Sequence, residues 1–166
     1  MGKSFGHPIF LLLGNIPNSQ RNKQKSKALI GYFSILKTMD SKTKSSKSFH
    51  KLQREVFQKC LTILLKPIVE EPELHFVVRD NIIIFIPQIS MILADLQEAN
   101  KISNIYMPSN LQRPCYSCLV SKDNLNNIKN LNTLSRTPNN MKQVIDNGES
   151  NYYSIHLEIN VFWKIR

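Results

Sequence analysis

The sequence predicts an α/β fold in which apolar strands and helices are followed by a loop-rich segment. Two apolar runs near the start, Ile9–Leu13 and Ala28–Leu36, are typical of strands, and Gly14-Asn15 ends the first of them. From Phe49 onward, apolar residues recur every three or four positions, which predicts one face of a helix. A chain of 166 residues with 42% hydrophobic residues is long enough to bury a core.

We predict two regions, residues 1–105 and residues 106–166. The expected elements of the first region are strands at about 7–16 and 28–36, a helix at about 49–66, strands at about 74–86 and a helix at about 88–103. The continuous apolar runs favour strands covered on both faces. Asp80-Asn81 predicts a tight turn, and Ser48 is a candidate helix cap. The second region is rich in loops, and Thr137-Pro138 predicts a helix start there.

Positive charge is concentrated in the first part of the chain. Residues 1–66 hold 13 Lys and Arg against two acidic residues, whereas residues 67–166 hold nine against ten. The candidates for phosphate contacts are Arg21, Lys23, Lys25, Lys27, Lys42, Lys44 and Lys47. Few aromatic residues are interspersed among them, so base stacking is not indicated. A solvated basic surface with no ligand is the alternative explanation.

Several classes of protein fit the sequence poorly. Three cysteines are too few for a secreted disulfide framework, so we expect a nuclear or cytoplasmic protein that is not secreted. The apolar run at 8–13 is short for a signal peptide, and Ile82–Ile86 is far below the length of a membrane span. Neither His7 nor His75 has the neighbours of a hydrolase triad.

An ordered series of motifs extends over most of the chain. It begins with Gly-Lys-Ser-Phe-Gly-His-Pro-Ile-Phe-Leu-Leu-Leu-Gly-Asn-Ile-Pro at residues 2–17. It continues through Arg21-Asn22-Lys23, the strand at 28–32, the helix at 49–66, Asp80, Pro87, Ala94-Asp95 with Glu98, Cys115 and Cys118, Thr137-Pro138 and the closing Asn160–Trp163. In content and order this series resembles the Plavaka family of fungal cut-and-paste DNA transposases.

The resemblance implies a partial ribonuclease-H-like fold, a mixed sheet with flanking helices. It also implies a metal-dependent site in which three acidic residues hold Mg²⁺. Asp95 matches the family's second catalytic aspartate, and Asp80 is the alternative candidate. The first acid would precede Gly2 and the third would follow Arg166, so we expect an incomplete magnesium site and an inactive fragment. From the residues alone, Asp95 is better explained as a helix-surface aspartate, and Asp80 could equally be a turn residue.

Cys115-Tyr116-Ser117-Cys118 has the spacing of half a zinc knuckle. Tetrahedral zinc takes four ligands and this pair supplies two, so a two-cysteine loop without metal is the alternative. A redox-active cysteine pair is a third explanation and is less well supported.

The function predicted from the sequence is that of a transposase-derived protein, inactive as a nuclease, with weak and non-specific binding to DNA. A small basic module with a non-enzymatic binding role is one alternative, and a gene fragment without a stable function is another. The sequence predicts no membrane partner and leaves the oligomeric state open.

Overall fold

A computed structural model of the chain describes residues 6–71, 73–106, 111–127, 129 and 133–164. The chain divides into two compact units, residues 1–92 and 93–166. In chain order the elements are β1 (Gly6–Leu12), α1 (Asn18–Arg21), β2 (Lys27–Ser34), α2 (Ser41–Lys44), α3 (Lys47–Glu70), β3 (Leu74–Val78), β4 (Asn81–Phe85), α4 (Leu96–Ile102) and α5 (Pro138–Asp146). The predicted α/β class is confirmed. Among the described helices, none combines the length and the apolar character that crossing a membrane requires.

The first unit is built on β1, β2 and the long helix α3. The two strands pair antiparallel, with an irregularity between Ile9 and Phe10. Helix α3 packs on β2, where the rings of Phe33 and Phe57 lie 4.6 Å apart between centroids. The side-chain amide of Gln53 donates to the carbonyl of Leu36 at 3.1 Å, which ties the helix to the end of the strand.

Two expectations about the sheet are wrong for the described residues. The predicted mixed sheet is instead two separate antiparallel sheets of two strands, β1–β2 and β3–β4. The strands at 7–16 and 28–36 are also not covered on both faces, because Phe10 and Tyr32 remain 57% and 63% exposed. Their apolar runs gave no information about which neighbour covers them, and in this chain α3 packs on the β1–β2 sheet.

The predicted turn at Asp80 is confirmed and connects β3 to β4. Val78 pairs with Asn81, so only Arg79 and Asp80 lie in the turn. Both have positive φ, 49° and 65°, as a type I′ turn requires. The side-chain amide of Asn81 donates to the backbone carbonyl of Arg79 at 3.1 Å and supports this backbone conformation.

Two helices differ in extent from their predictions. Helix α3 starts at Lys47 with Ser46 as its cap, in place of Ser48, and it continues past Pro67 to Glu70. A proline ring costs one hydrogen bond but keeps a helical φ, so the last turn still closes from Glu71 N–H to the Pro67 carbonyl. The helix predicted at 88–103 forms only over Leu96–Ile102.

The second unit has a small core of its own. Its hydrophobic cluster consists of the buried residues Ile105, Leu119, Met141, Val144 and Ile155, with Ile145, Tyr153 and Trp163 packed against them. Helix α5 begins as predicted: Thr137 accepts from the Asn140 N–H, and the Asn140 side chain accepts from the Thr137 N–H. Helix α4 belongs to this unit, whereas the sequence placed it in the first region. The division at residue 105 stays a prediction.

Candidate nucleic-acid interface and cysteine turn

The connection between β1 and β2, together with the first residue of β2, carries three of the predicted lysines. Lys23, Lys25 and Lys27 are all exposed. Two of them line a cavity of about 280 Å³ whose walls are Leu11, Leu13, Ile16, Lys25, Ser26, Lys27 and Ala28. The hydroxyl of Ser26 donates to the carbonyl of Gln20 at 2.7 Å and fixes the connection. The sequence therefore places cationic side chains on an ordered turn, next to an apolar floor.

Arg21 has a structural partner within this connection. Its Nη2 atom donates to the carbonyls of Gly14 and Ile16 at 2.9 and 3.0 Å. The guanidinium therefore holds the turn that follows β1, and its predicted contact with phosphate stays a prediction. Among the seven basic candidates, the six lysines are the ones whose side chains are exposed.

The second group of lysines lies around the start of α3. Lys42 and Lys44 are in α2, and Lys47 is the first residue of α3. Asp40 caps α2 by accepting from the Thr43 N–H at 2.8 Å and from the Thr43 hydroxyl at 2.5 Å. The hydroxyl bond is the main cause that lowers the pKa of Asp40 below its ordinary value. This carboxylate therefore places one negative charge beside the lysines of α2.

Both candidate catalytic aspartates have local structural roles. Asp80 is exposed in the I′ turn described above. Asp95 caps α4, since its Oδ1 accepts from the Glu98 N–H at 2.8 Å. The cap also explains why α4 begins at Leu96, because the Asp95 carboxylate satisfies a backbone donor of the first turn there. Glu98, which the sequence motif paired with Asp95, is therefore the residue whose N–H donates to the capping carboxylate.

The donor set of the described residues does not fit a two-metal magnesium site. In that part of the chain, no three His, Cys, Asp or Glu side chains come together as a metal site. Two-metal chemistry depends on several carboxylates that bridge the ions. The catalytic roles of Asp80 and Asp95 therefore stay predictions.

The cysteine pair lies on an ordered turn of the second unit. Cys118 forms an isolated antiparallel bridge with Ser135, and the Leu119 N–H donates to the Leu134 carbonyl at 2.8 Å. The sulfur of Cys115 lies 3.3 Å from the Ser117 hydroxyl. Burial raises the pKa of Cys115, but hydrogen bonds from Ser117 and Cys118 outweigh it and bring the pKa below its ordinary value. Burial is the main cause that raises the pKa of Cys118.

Arg136 lies behind this turn and connects it to the core. Its Nε donates to the Cys115 carbonyl at 2.8 Å, and its Nη2 donates to the carbonyls of Arg113 and Tyr153, each at 2.9 Å. Burial lowers the pKa of Arg136 to about 10, so the guanidinium is charged at neutral pH. Both cysteine sulfurs act on it electrostatically, and a thiolate at either position would favour the charged arginine.

Arg113 is a second arginine that supports the turn. Its guanidinium lies over the rings of Tyr152 and Tyr153, 5.0 and 5.3 Å from their centroids, and donates to the carbonyl of Leu119. Sequence reasoning missed both arginines, because each is a single cation in a polar segment. The only signal was position: Arg113 stands two residues before Cys115, and Arg136 directly before Thr137-Pro138.

Comparison with known proteins identifies the family. The model of the Plavaka transposase family matches residues 1–165, essentially the whole chain. The chain therefore belongs to the Plavaka transposase family. No curated protein and no solved structure matches it.

Proposed function

We propose that this chain is a DNA-binding portion of a Plavaka transposase, which holds the phosphate backbone through exposed lysines of its first unit. Membership of a transposase family is the observation that carries the proposal, because such proteins act on DNA. The charge distribution supports it. The first unit, residues 1–92, has 14 Lys and Arg against six acidic residues, while the second has eight against six.

The arrangement of the lysines favours contacts to phosphate over contacts to bases. Lys23 and Lys25 lie in the turn before β2, and Lys27 is the first residue of that strand. A second group of three lysines surrounds the start of α3. A lysine ammonium is a mobile point charge, which neutralises phosphate but does not read a base pattern as a fixed fork would. We therefore expect binding that is weak, insensitive to sequence and strongly dependent on salt.

Two matched triple variants test this proposal. The first replaces Lys23, Lys25 and Lys27 by Gln. The control replaces Lys122, Lys129 and Lys142, three exposed lysines of the second unit, by Gln. Both variants lose the same charge, so a difference between them reports location. Fluorescence anisotropy with a labelled duplex of mixed sequence at low salt measures the affinity.

The first variant should lose about tenfold or more in affinity, while the control should stay within about twofold, since each phosphate contact contributes through released counterions. Equal losses in the two variants would show that only the overall charge matters. An unlabelled duplex of different sequence should compete as well as the labelled one. Wild-type protein that does not bind at low salt would refute the proposal.

We further propose that the isolated chain does not cleave DNA, although the family resemblance supports a ribonuclease-H-like catalytic region. The support is the use of the Asp95 carboxylate as a helix cap. Incubation of supercoiled plasmid with the chain and Mg²⁺ should leave the plasmid intact. Nicking that disappears in Asp95→Asn would contradict this proposal. A reducing compartment, nucleus or cytoplasm, suits a chain whose three cysteines are free thiols.

A further inference from the structure

The cysteine turn presents two thiols at the surface of the second unit. Cys115 and Cys118 are both partly exposed, and the residues between them, Tyr116 and Ser117, are exposed. Tyr116 is 44% exposed although its ring is large and apolar. A turn in which two sulfurs flank an exposed aromatic side chain offers both metal ligands and a contact surface.

Both sulfurs have polar neighbours within the turn. The Cys115 sulfur interacts with the hydroxyl and backbone of Ser117 and with the backbone of Cys118. The Cys118 sulfur interacts with the backbone of Val120. The thiolate is the form that binds zinc, so binding would release the proton of each thiol. The sulfurs are also close enough to interact with each other, as two ligands of one ion must be.

The ligand count indicates a shared site. Structural zinc takes four ligands in a tetrahedron, and one turn supplies two. A second copy of the chain offers the same turn with the same exposed Tyr116. Two identical half-sites related by a twofold axis meet as equivalent surfaces, which is the commonest way in which protein chains pair.

The charge of the surroundings fits four thiolates better than two. Zinc with four thiolates carries a net charge of about −2. Each chain brings one Arg136, charged and half-buried behind the turn, where the carbonyls of Cys115, Arg113 and Tyr153 hold it. Two copies therefore bring two guanidinium groups, which offset the excess negative charge of the site.

We propose that two copies of this chain share one zinc ion, to which each copy contributes the sulfurs of Cys115 and Cys118. The inference goes beyond DNA binding, because it assigns a metal site and an assembly. Zinc binding and pairing of the chains are one event in this proposal, so removal of the metal separates the copies.

The test is a titration of the reduced chain with zinc chloride, followed by light scattering coupled to size-exclusion chromatography. The expected result is one zinc per two chains, a doubling of mass on addition of zinc, and a return to the single-chain mass on addition of a chelator. Cobalt(II) in place of zinc should show the charge-transfer absorption of a tetrahedral four-thiolate site.

Three variants separate the proposal from its alternatives. Cys118→Ser should lose about tenfold or more in zinc affinity and lose the dimer, while Cys60→Ser, which changes a thiol on α3, should keep both. Tyr116→Glu retains both thiols but places like charges where the two turns meet, so it should weaken zinc-dependent pairing about tenfold. Intact Trp163 fluorescence confirms that the second unit, which holds the site, is folded in each variant.

Three outcomes would overturn the proposal. The first is a zinc stoichiometry of one per chain with no change in mass. The second is the absence of zinc binding by the folded wild-type chain. The third is a dimer that persists in chelator, or one that Tyr116→Glu leaves as stable as the wild type.

Discussion

Arg136→Met removes the cation that holds the cysteine turn against the core of the second unit. The guanidinium donates to three carbonyls, those of Cys115, Arg113 and Tyr153, at 2.8 to 2.9 Å. Methionine fills much of the same volume but donates to none of them. The variant therefore leaves three polar groups of the turn and its support without their donor, and we expect the second unit to become markedly less stable.

The magnitude follows from the number of bonds and from the cost of burying the charge. A hydrogen bond from a charged donor contributes about 1.5 kcal/mol or more, so three contribute about 4.5 kcal/mol. Burial lowers the pKa of Arg136 to about 10, which shows that the charged form pays a desolvation cost in the folded state. After an offset of about 1 kcal/mol for that cost, we expect a loss of about 3.5 kcal/mol, or roughly 300-fold in the folding equilibrium.

Urea denaturation monitored by tryptophan fluorescence measures this change. Trp163 is the only tryptophan, and it packs against the core of the second unit, so its emission reports that unit. The control is Lys142→Met, which removes an exposed cation from the same unit and introduces the same residue. It should change stability by less than about 0.5 kcal/mol. A loss below about 1 kcal/mol in Arg136→Met would refute the reasoning, because the three bonds would then contribute almost nothing.

Three further predictions concern single side chains. Asp95→Ala should destabilise the second unit by about 1 kcal/mol through loss of the α4 cap, while Asp95→Asn should be nearly neutral. Urea denaturation of both variants checks this, and equal losses of stability in the two variants would contradict a capping role. Asn100 is fully buried, and neither polar atom of its side chain has a hydrogen-bond partner among the described residues. Asn100→Leu should therefore keep or raise the melting temperature, and a fall of several degrees would show that the amide has a partner. Thr43→Val should raise the pKa of Asp40 in a carboxyl NMR titration, and an unchanged pKa would assign the shift to the backbone donors alone.

The Asp40 prediction has a consequence for stability at low pH. Because the folded-state pKa of this carboxyl lies below its unfolded value, the stabilisation is present above the unfolded pKa and is lost as the pH falls through the folded one. Thr43→Val should shrink this dependence. The free energies of unfolding of the wild type and of Thr43→Val should therefore converge as the pH is lowered.

Local signals in the sequence predicted much of the secondary structure. The turn at Asp80 and the start of α5 at Thr137 depend on residues within three positions of each other, so their chemistry can be recognised in a short stretch. The cap at Asp95 has the same local character, but the apolar pattern before it predicted a longer helix. The prediction followed the apolar periodicity and placed the helix start at about residue 88, whereas in the structure the Asp95 cap sets the start of α4 at Leu96.

Features that depend on distant neighbours were not predictable in the same way. An apolar run such as Ala28–Leu36 indicates a strand but does not say whether one face or both will be covered. The contacts of Arg136 reach 17 to 23 residues along the chain, to Tyr153, Cys115 and Arg113. Apart from its position directly before Thr137-Pro138, nothing in the neighbouring sequence marks this arginine. The basic candidates, in contrast, were found from charge alone, and only Arg21 has a structural partner that the sequence did not indicate.

The salt dependence of DNA binding tests the central proposal most directly. The measurement compares the slope of log affinity against log salt for the wild type with that of a variant in which Lys23, Lys25, Lys27, Lys42, Lys44 and Lys47 are replaced by Gln. Each lost phosphate contact makes this negative slope shallower by about 0.9. The six substitutions should therefore decrease its magnitude by about 5 if all six lysines contact phosphate, and by at least about 2 if half of them do. An unchanged slope in the folded variant would contradict the proposal that these lysines hold the DNA backbone.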